Sequence, residues 1–534
     1  MKKLNVLLLV IVVVGLLTSC NFNNNGLVGA LQSGNLERVK EAVENGADVN
    51  KASILNAPDA NPLYYSMRNG QRYIPEYLLS KGANPNFIDS DGLSILMYTV
   101  GAHKDAGLEF SNVTDNDNYK TLLNDKRTDI NLTNKFGFTA LDYACRDNGY
   151  LPTVNYLINH GAKISTTTMK CAIEGFSEGS CEASVVKVVF DSLTQQGMSY
   201  GIDSEFIAAI QGDYDKLRSL FNTGNINEKK KQIVMFLCAA LGDVNTLQIF
   251  ADKNVNLNEK FHGNTLLGVA CSYGNLETVK YLVSNHVNLE TPLIQVETVQ
   301  EETALTKAIR HNKADVVEYL LKSGAKFQTF DDTTQENDIE IACGNGNLNL
   351  VKCIIDHEYP LTDDQLFRAM TAAALNDHID VLEYFLTDKG ANINAENIFE
   401  ETVLGASAWK ADLDTIHYLV NHGADINGGK ARVMTPLDRA VTFNRADVAK
   451  YLIEKGANVN VIGVYSDTGE KTDSLLTTAI QNGYFDIVKL LVENGANVNY
   501  EEEWTDGKKT ELDIAKREGS KRIIDYLENA QKNK

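Results

Sequence analysis

The sequence predicts an α-solenoid: helix–turn–helix units, each followed by an extended finger, in about 14 copies. Three observations carry that prediction. One phrase recurs along the chain, in forms such as YLLSKGANPN, YLVNHGADIN, YLIEKGANVN and LLVENGANVN. Its central glycines Gly390, Gly423 and Gly456 stand 33 residues apart, a period that belongs to repeat architectures. Ahead of each glycine the apolar residues fall at helical spacing, as in Val448, Tyr451 and Leu452. Such a helix has one face that a neighbour must cover.

Each element of the unit follows from its residues. The first helix opens in stretches such as TPLDRAVTFNR and TALDYACRDNG. There Thr435 is placed to cap free backbone N–H groups, and Pro436 suits the first helical position. A short polar turn (GNL, GDV or NRA) leads into the second helix. That helix stops at Gly46, Gly82, Gly161, Gly324, Gly390, Gly423, Gly456 and Gly495, because glycine takes the left-handed conformation at little steric cost. Weaker centres near Thr128, Gly197, Gly224, Asn254, His286 and His357 bring the count to 14, followed by a terminal helix pair. The repeats span 27–530, with four irregular segments. Residues 102–127 exceed a normal finger, and 461–473 and 500–509 lengthen later ones. In 171–235 the pattern is faint, with a step of 27 between Gly197 and Gly224, which suits either a bend or two sub-stacks.

This unit resembles the ankyrin repeat, whose consensus reads Thr-Pro-Leu-His-x-Ala at the first helix and Gly-Ala-Asp-Val-Asn after the second. The best matches are Thr435-Pro436-Leu437-Asp438-Arg439-Ala440 and Gly46-Ala47-Asp48-Val49-Asn50. The consensus His is replaced by Asp142, Gly268, Thr306, Asp438, Thr477 and Asp513. In the family that His hydrogen-bonds between repeats. Asp and Thr can bond locally instead, with lower stability per repeat expected. The resemblance implies a protein-binding scaffold whose concave face is made by finger tips and first helices.

The N-terminus carries a separate signal. Lys2 and Lys3 precede an apolar stretch of 14 residues, Leu4 to Leu17, shorter than the roughly 20 a transmembrane helix needs. It fits the apolar part of an export signal, or else a marginal anchor that stays in place. Leu17-Thr18-Ser19-Cys20 resembles the lipobox of bacterial lipoproteins. That resemblance implies removal of residues 1–19 as a signal peptide, lipidation of Cys20, and a tether over 20–26. Several acyl chains on one cysteine anchor durably, where one alone is marginal. The implied location is the bacterial envelope. Asn21, in place of Asp, favours the outer membrane where the organism has one.

The formal charge is −21, and loss of Lys2 and Lys3 takes the mature chain to −23. Such a chain repels nucleic acid and anionic headgroups. A charge-steered protein partner is expected to be basic, and the solenoid itself monomeric. Of eight cysteines, seven remain beside Cys20, an odd number. Cys145, Cys271 and Cys343 each follow an alanine at one repeat position, the mark of a small buried side chain. Cys171 and Cys181 are near enough in sequence to pair.

No catalytic residue, metal or cofactor is expected. HExxH and the Gly-rich phosphate loop are missing, and the G-x-S-x-G match, Gly175-Phe176-Ser177-Glu178-Gly179, falls within the faint repeat stretch 171–235,. His160, His286, His357 and His422 fall at the turn that ends the second helix, where capping accounts for them. DSDG at 89–92 and DNDN at 115–118 are ordinary turn formers,. The binding candidates are large rings at or near the finger tips: Phe136, Phe261, Phe330, Phe399, Tyr465 and Trp504. They read either as partner anchors or as rings folded back over a neighbouring repeat. Trp504, beside Glu501, Glu502 and Glu503, is the best anchor. The alternative to a binding scaffold is a surface-exposed structural or host-contact lipoprotein without a dedicated partner.

Overall fold

The computed structural model describes residues 26–532 apart from 52–60, 70, 72, 91, 102–117, 225, 295–300, 329–335, 358, 360, 398–400, 429–434, 463–471 and 505–506. Two compact units are present: residues up to Ala144 with Asn159–Ala162, and Cys145–Ile158 with Lys163 onward. Both are built from short helix pairs. The first holds Gly26–Gln32 with Leu36–Glu44, Pro62–Arg68 with Ile74–Ser80, and Ile95–Val100 with Asn118–Asn124. The second repeats the motif through pairs such as Ala304–Arg310 with Ala314–Lys322, and Pro436–Thr442 with Ala446–Glu454. It closes on Glu511–Glu518 with Lys521–Lys532.

The first helices begin where a hydroxyl can cap them. Thr265, Thr303, Thr402, Thr435 and Ser474 each accept a hydrogen bond from the backbone N–H three residues on, satisfying a donor the helix cannot. Asp142 stands at the consensus-histidine position and turns back on its cap: it accepts from the Thr139 N–H at 2.8 Å and from its hydroxyl at 2.9 Å. Asp513 does the same with Thr510. Contact between repeats is restored by another route. Glu511, fully buried, accepts from Ser474 Oγ at 2.6 Å and Thr477 Oγ1 at 2.9 Å in the preceding repeat.

The core lies between the helix layers, with Leu305, Ala308 and Ile309 against Val316, Val317 and Leu320, all buried. Each buried aliphatic side chain contributes about 1.5–3 kcal/mol, but only because the neighbouring repeat covers it. Cys145, Cys271 and Cys343 are buried as the alanine-linked pattern suggests, and Cys171 and Cys181 are not joined by a disulfide. Second helices end in left-handed residues: Gly324, Gly423 and Gly456 have φ of 93°, 92° and 101°. His286 takes the same place with φ 57°. His357 and His422 each lie 2.8 Å, through Nδ1, from the carbonyl four residues back.

Two seams join consecutive repeats. At the fingers, the final asparagine of GANVN-type phrases reaches the next repeat. Asn460 donates to the Gly495 carbonyl at 3.0 Å and accepts from the Asn497 N–H at 2.9 Å. Asn394 repeats this with Gly423 and Asp425, and Asn50 with Gly82 and Asn84. At the opposite end of the helices, the residue opening a second helix reaches back to carbonyls ending the previous first helix. Asn275 donates to Ala239 and Ala240, and His378 Nε2 lies 3.0 Å from the Gly344 carbonyl, while Arg445 donates to Ala411 in the turn after the previous first helix.

The irregular segments resolve differently. Residues 171–235 are regular helices, among them Thr166–Glu178, Ala183–Gln195, Ser204–Gln211 and Tyr214–Asn222. Residues 500–509 contain an antiparallel hairpin, Glu501–Trp504 with Gly507–Thr510, in register Glu501 to Thr510. Most of 102–127 and 461–473 lies outside the described residues. Among the described residues no helix is long and apolar enough to cross a membrane.

Candidate functional site

The finger aromatics do not share one fate. Phe136 is 71 % exposed, with Lys135 Nζ 5.3 Å from its ring centre. Phe261, on the short strand Lys260–Phe261, is half-buried and folds back to within 5.3 Å of the Phe236 ring in the preceding repeat. Trp504 ends its strand opposite Gly507, and its side chain lies outside the described residues. Phe330, Phe399 and Tyr465 also lie outside them, as does Cys20.

Where fingers meet first helices, buried carboxylates are held by cations, several from adjacent repeats. Glu302 is buried and meets Lys307 at 2.8 Å and Arg310 at 2.7 Å; Arg310 also reaches Glu336 of the next finger at 3.1 Å. Burial alone would raise the Glu302 carboxyl, but the two cations outweigh it and hold the group below its ordinary range,. Glu340 pairs with Arg368 at 2.9 Å, and Glu401 with Arg439 at 2.8 Å. Burial pushes Glu340 up, with Asn337 and Arg368 offsetting part of that. The Arg310–Glu336, Glu340–Arg368 and Glu401–Arg439 pairs join repeat to repeat, and breaking a buried one strands an ion,.

Asp338 differs from its neighbours. Its Oδ2 accepts the Gln328 N–H at 2.8 Å, while Oδ1 and the Tyr359 hydroxyl are buried with no hydrogen-bond partner among the described residues. Burial pushes the Asp338 carboxyl up to about 6,.

The turn edge, at the far end of the helices from the fingers, carries exposed rings that sequence reasoning missed. Trp409 is 37 % exposed and Phe443 46 % exposed, their ring centres 5.3 Å apart. Both sit where a first helix gives way to its turn, in consecutive repeats. The available signal was positional: Trp409 occupies the place held by Ser272, Gly344 and Thr442 in other copies. Three successive turns are stitched together here. Lys410 Nζ donates to Asn376 at 3.2 Å, and the Asp412 N–H and Thr415 Oγ1 both donate to Asp377. Arg445 closes the set through Ala411 and Asp447.

Nothing at these places is arranged for bond-making chemistry. Burial pushes the thiols of Cys181, Cys238, Cys271 and Cys343 up, away from the reactive thiolate,. Among the described residues no group of three or more His, Cys, Asp or Glu could hold a metal ion.

Comparison with known proteins agrees with the repeat geometry. A model described as ankyrin repeats (3 copies) matches residues 78–168, 206–292, 332–397 and 394–463, together more than half of the chain. Further ankyrin models match 269–321 and 473–502. The chain is similar to alpha-latroinsectotoxin-Lt1a of Latrodectus tredecimguttatus, 32 % identical over 148 residues, covering 25 % of this chain and 10 % of the toxin. It is 24 % identical over 309 residues to the ankyrin repeat and KH domain-containing protein mask-1 of Caenorhabditis elegans, covering 57 % of this chain and 11 % of that protein. A third relative is the transient receptor potential cation channel subfamily A member 1 of Drosophila melanogaster, 28 % identical over 127 residues, 22 % of this chain and 10 % of the channel. The chain thus spans about a tenth of the length of each of these relatives.

Proposed function

This chain belongs to the ankyrin-repeat family, and on that premise we propose that it is a membrane-tethered protein–protein interaction scaffold of a bacterial envelope. Ankyrin repeats are non-catalytic scaffolds, so function here is recognition,. Large rings held in water on a rigid repeat frame carry the interaction reading, Trp409, Phe443 and Phe136 foremost,. Phe330, Phe399, Tyr465 and Trp504 belong to the same reading as finger contacts, whereas Phe261 serves its own stack. About 14 repeats and a terminal helix pair form the scaffold, which acts as a monomer. Its acidity turns away nucleic acid and favours a basic partner.

The tether rests on the leader. Lys2, Lys3, the apolar run to Leu17 and the Thr18-Ser19-Cys20 sequence stand in the order that lipoprotein processing requires. The mature protein then begins at Cys20, held by its acyl chains, with Asn21 directing it to an outer membrane where there is one. Radiolabelled palmitate fed to expressing cells tests this directly. The wild type takes up label and sediments with membranes, and Cys20→Ala loses both. Equal labelling of the variant rejects the tether.

A further inference from the structure

We propose that the turn edge around Trp409 and Phe443 is the docking site for an arginine-bearing segment of a protein partner. The inference deepens the scaffold reading and rests on it. Two rings this large, in contact with one another and exposed, form an apolar ledge on the turn edge. Their immediate rim is acidic. Asp380, Asp412 and Asp414 are exposed and form no ion pair among the described residues, whereas Lys410 and Arg445 are engaged by Asn376 and by Asp447 with Ala411. Asp412 stands at the N-cap of helix Leu413–Asn421 yet makes no side-chain capping bond, so its carboxylate is available to a ligand.

The repeats just ahead of this edge are strongly acidic: residues 301–400 carry 19 Asp and Glu against 8 Lys and Arg, whereas residues 401–450, which hold both rings, carry 6 of each. Steering of a basic segment to the rings therefore falls to the unpaired carboxylates beside them. Arginine fits better than lysine because its planar guanidinium stacks on an indole while its N–H fork meets carboxylates, and its weak hydration lowers the desolvation penalty. The acidic rim argues against an anionic membrane surface as the occupant.

The chain has two tryptophans, so Trp409 becomes a sole reporter in a Trp504→Phe background of the full-length protein. The probe is hexa-arginine amide, with hexa-lysine amide as an equally charged control. Saturable quenching of Trp409 emission is expected, with hexa-lysine binding about tenfold weaker. Phe443→Ala and the double variant Asp412→Asn/Asp414→Asn should each weaken hexa-arginine binding about tenfold at unchanged far-ultraviolet circular dichroism. Equal binding of the two peptides, or undiminished affinity in both variants, overturns the proposal. So does a Trp409 blue shift on phosphatidylcholine vesicles without any response to hexa-arginine. Trp409→Ala in cells separates this site from the broader reading. If partner capture survives that substitution, the site fails while the scaffold stands.

Discussion

Asp338 shows how a single residue couples this fold to acidity. Its carboxyl is buried, half-satisfied and raised to about 6, against 3.8 for the free group. Because the folded value lies above the unfolded one, the associated stability is fully present below about pH 4 and is lost as pH rises through about 6. The shift corresponds to roughly 3 kcal/mol. Asp338→Asn, neutral and nearly isosteric, should therefore differ least from wild type in thermal melts near about pH 3.5 and gain on it between about pH 4 and 6, with the gap level above that,. A gap that stays constant from pH 4.5 to 7.5 would contradict this origin. Glu302, held low by Lys307 and Arg310, runs the other way and must be separated by the variant comparison. Residue-level features were unevenly legible in the sequence. Cap residues and the glycine stops could be read directly, since each obeys a local rule. The Glu511 bridge to Ser474 and Thr477 could not, because it joins side chains 34 to 37 positions apart.

At the scale of elements, the structure absorbs single-residue insertions as wide helical turns. From Tyr384 to Gly390 the chain takes 6 steps, where Tyr319 to Gly324, Tyr418 to Gly423 and Tyr451 to Gly456 take 5. The surplus residue appears as a π-helical turn, Tyr384–Asp388. Likewise Thr139 to Tyr150 spans 11 steps against 10 from Thr435 to Arg445, and a π-helical turn forms at Ala144–Asn148. A single π turn lets the remaining helix keep its apolar stripe facing its neighbours. Deleting the exposed Thr387 should thus leave helicity and melting temperature nearly unchanged. Deleting the buried Thr415 from Leu413–Asn421 rotates part of that helix by about 100° and should lower the melting temperature sharply. Comparable losses from the two deletions would refute the account of the insertion. The faint stretch 171–235 was illegible for a related reason. The long helices Thr166–Glu178 and Ala183–Gln195 stretch the step from Gly161 to Gly197 to 36, and the next step, with ordinary helices Ser204–Gln211 and Tyr214–Asn222, is only 27, so the 33-residue period fails although helical periodicity persists.

On the scale of the whole molecule, sequence period and family membership agree, because a solenoid is specified by local contacts repeated many times. Its recognition surface is another matter: which rings face water depends on how repeats stack. Hence Phe261 read like Phe136 in sequence but turned inward, and Trp409 and Phe443 passed as ordinary helix residues. The proposed tether, the acidic composition and the exposed rings are the parts of one proposal, a scaffold that holds one partner at a membrane. In-cell crosslinking of the full-length protein, followed by recovery from membranes and mass spectrometry beside Cys20→Ala, tests that account most directly. It predicts one dominant envelope protein in near-stoichiometric yield, dependent on anchoring. Recovery of only scattered abundant proteins, unchanged by the substitution, would contradict it.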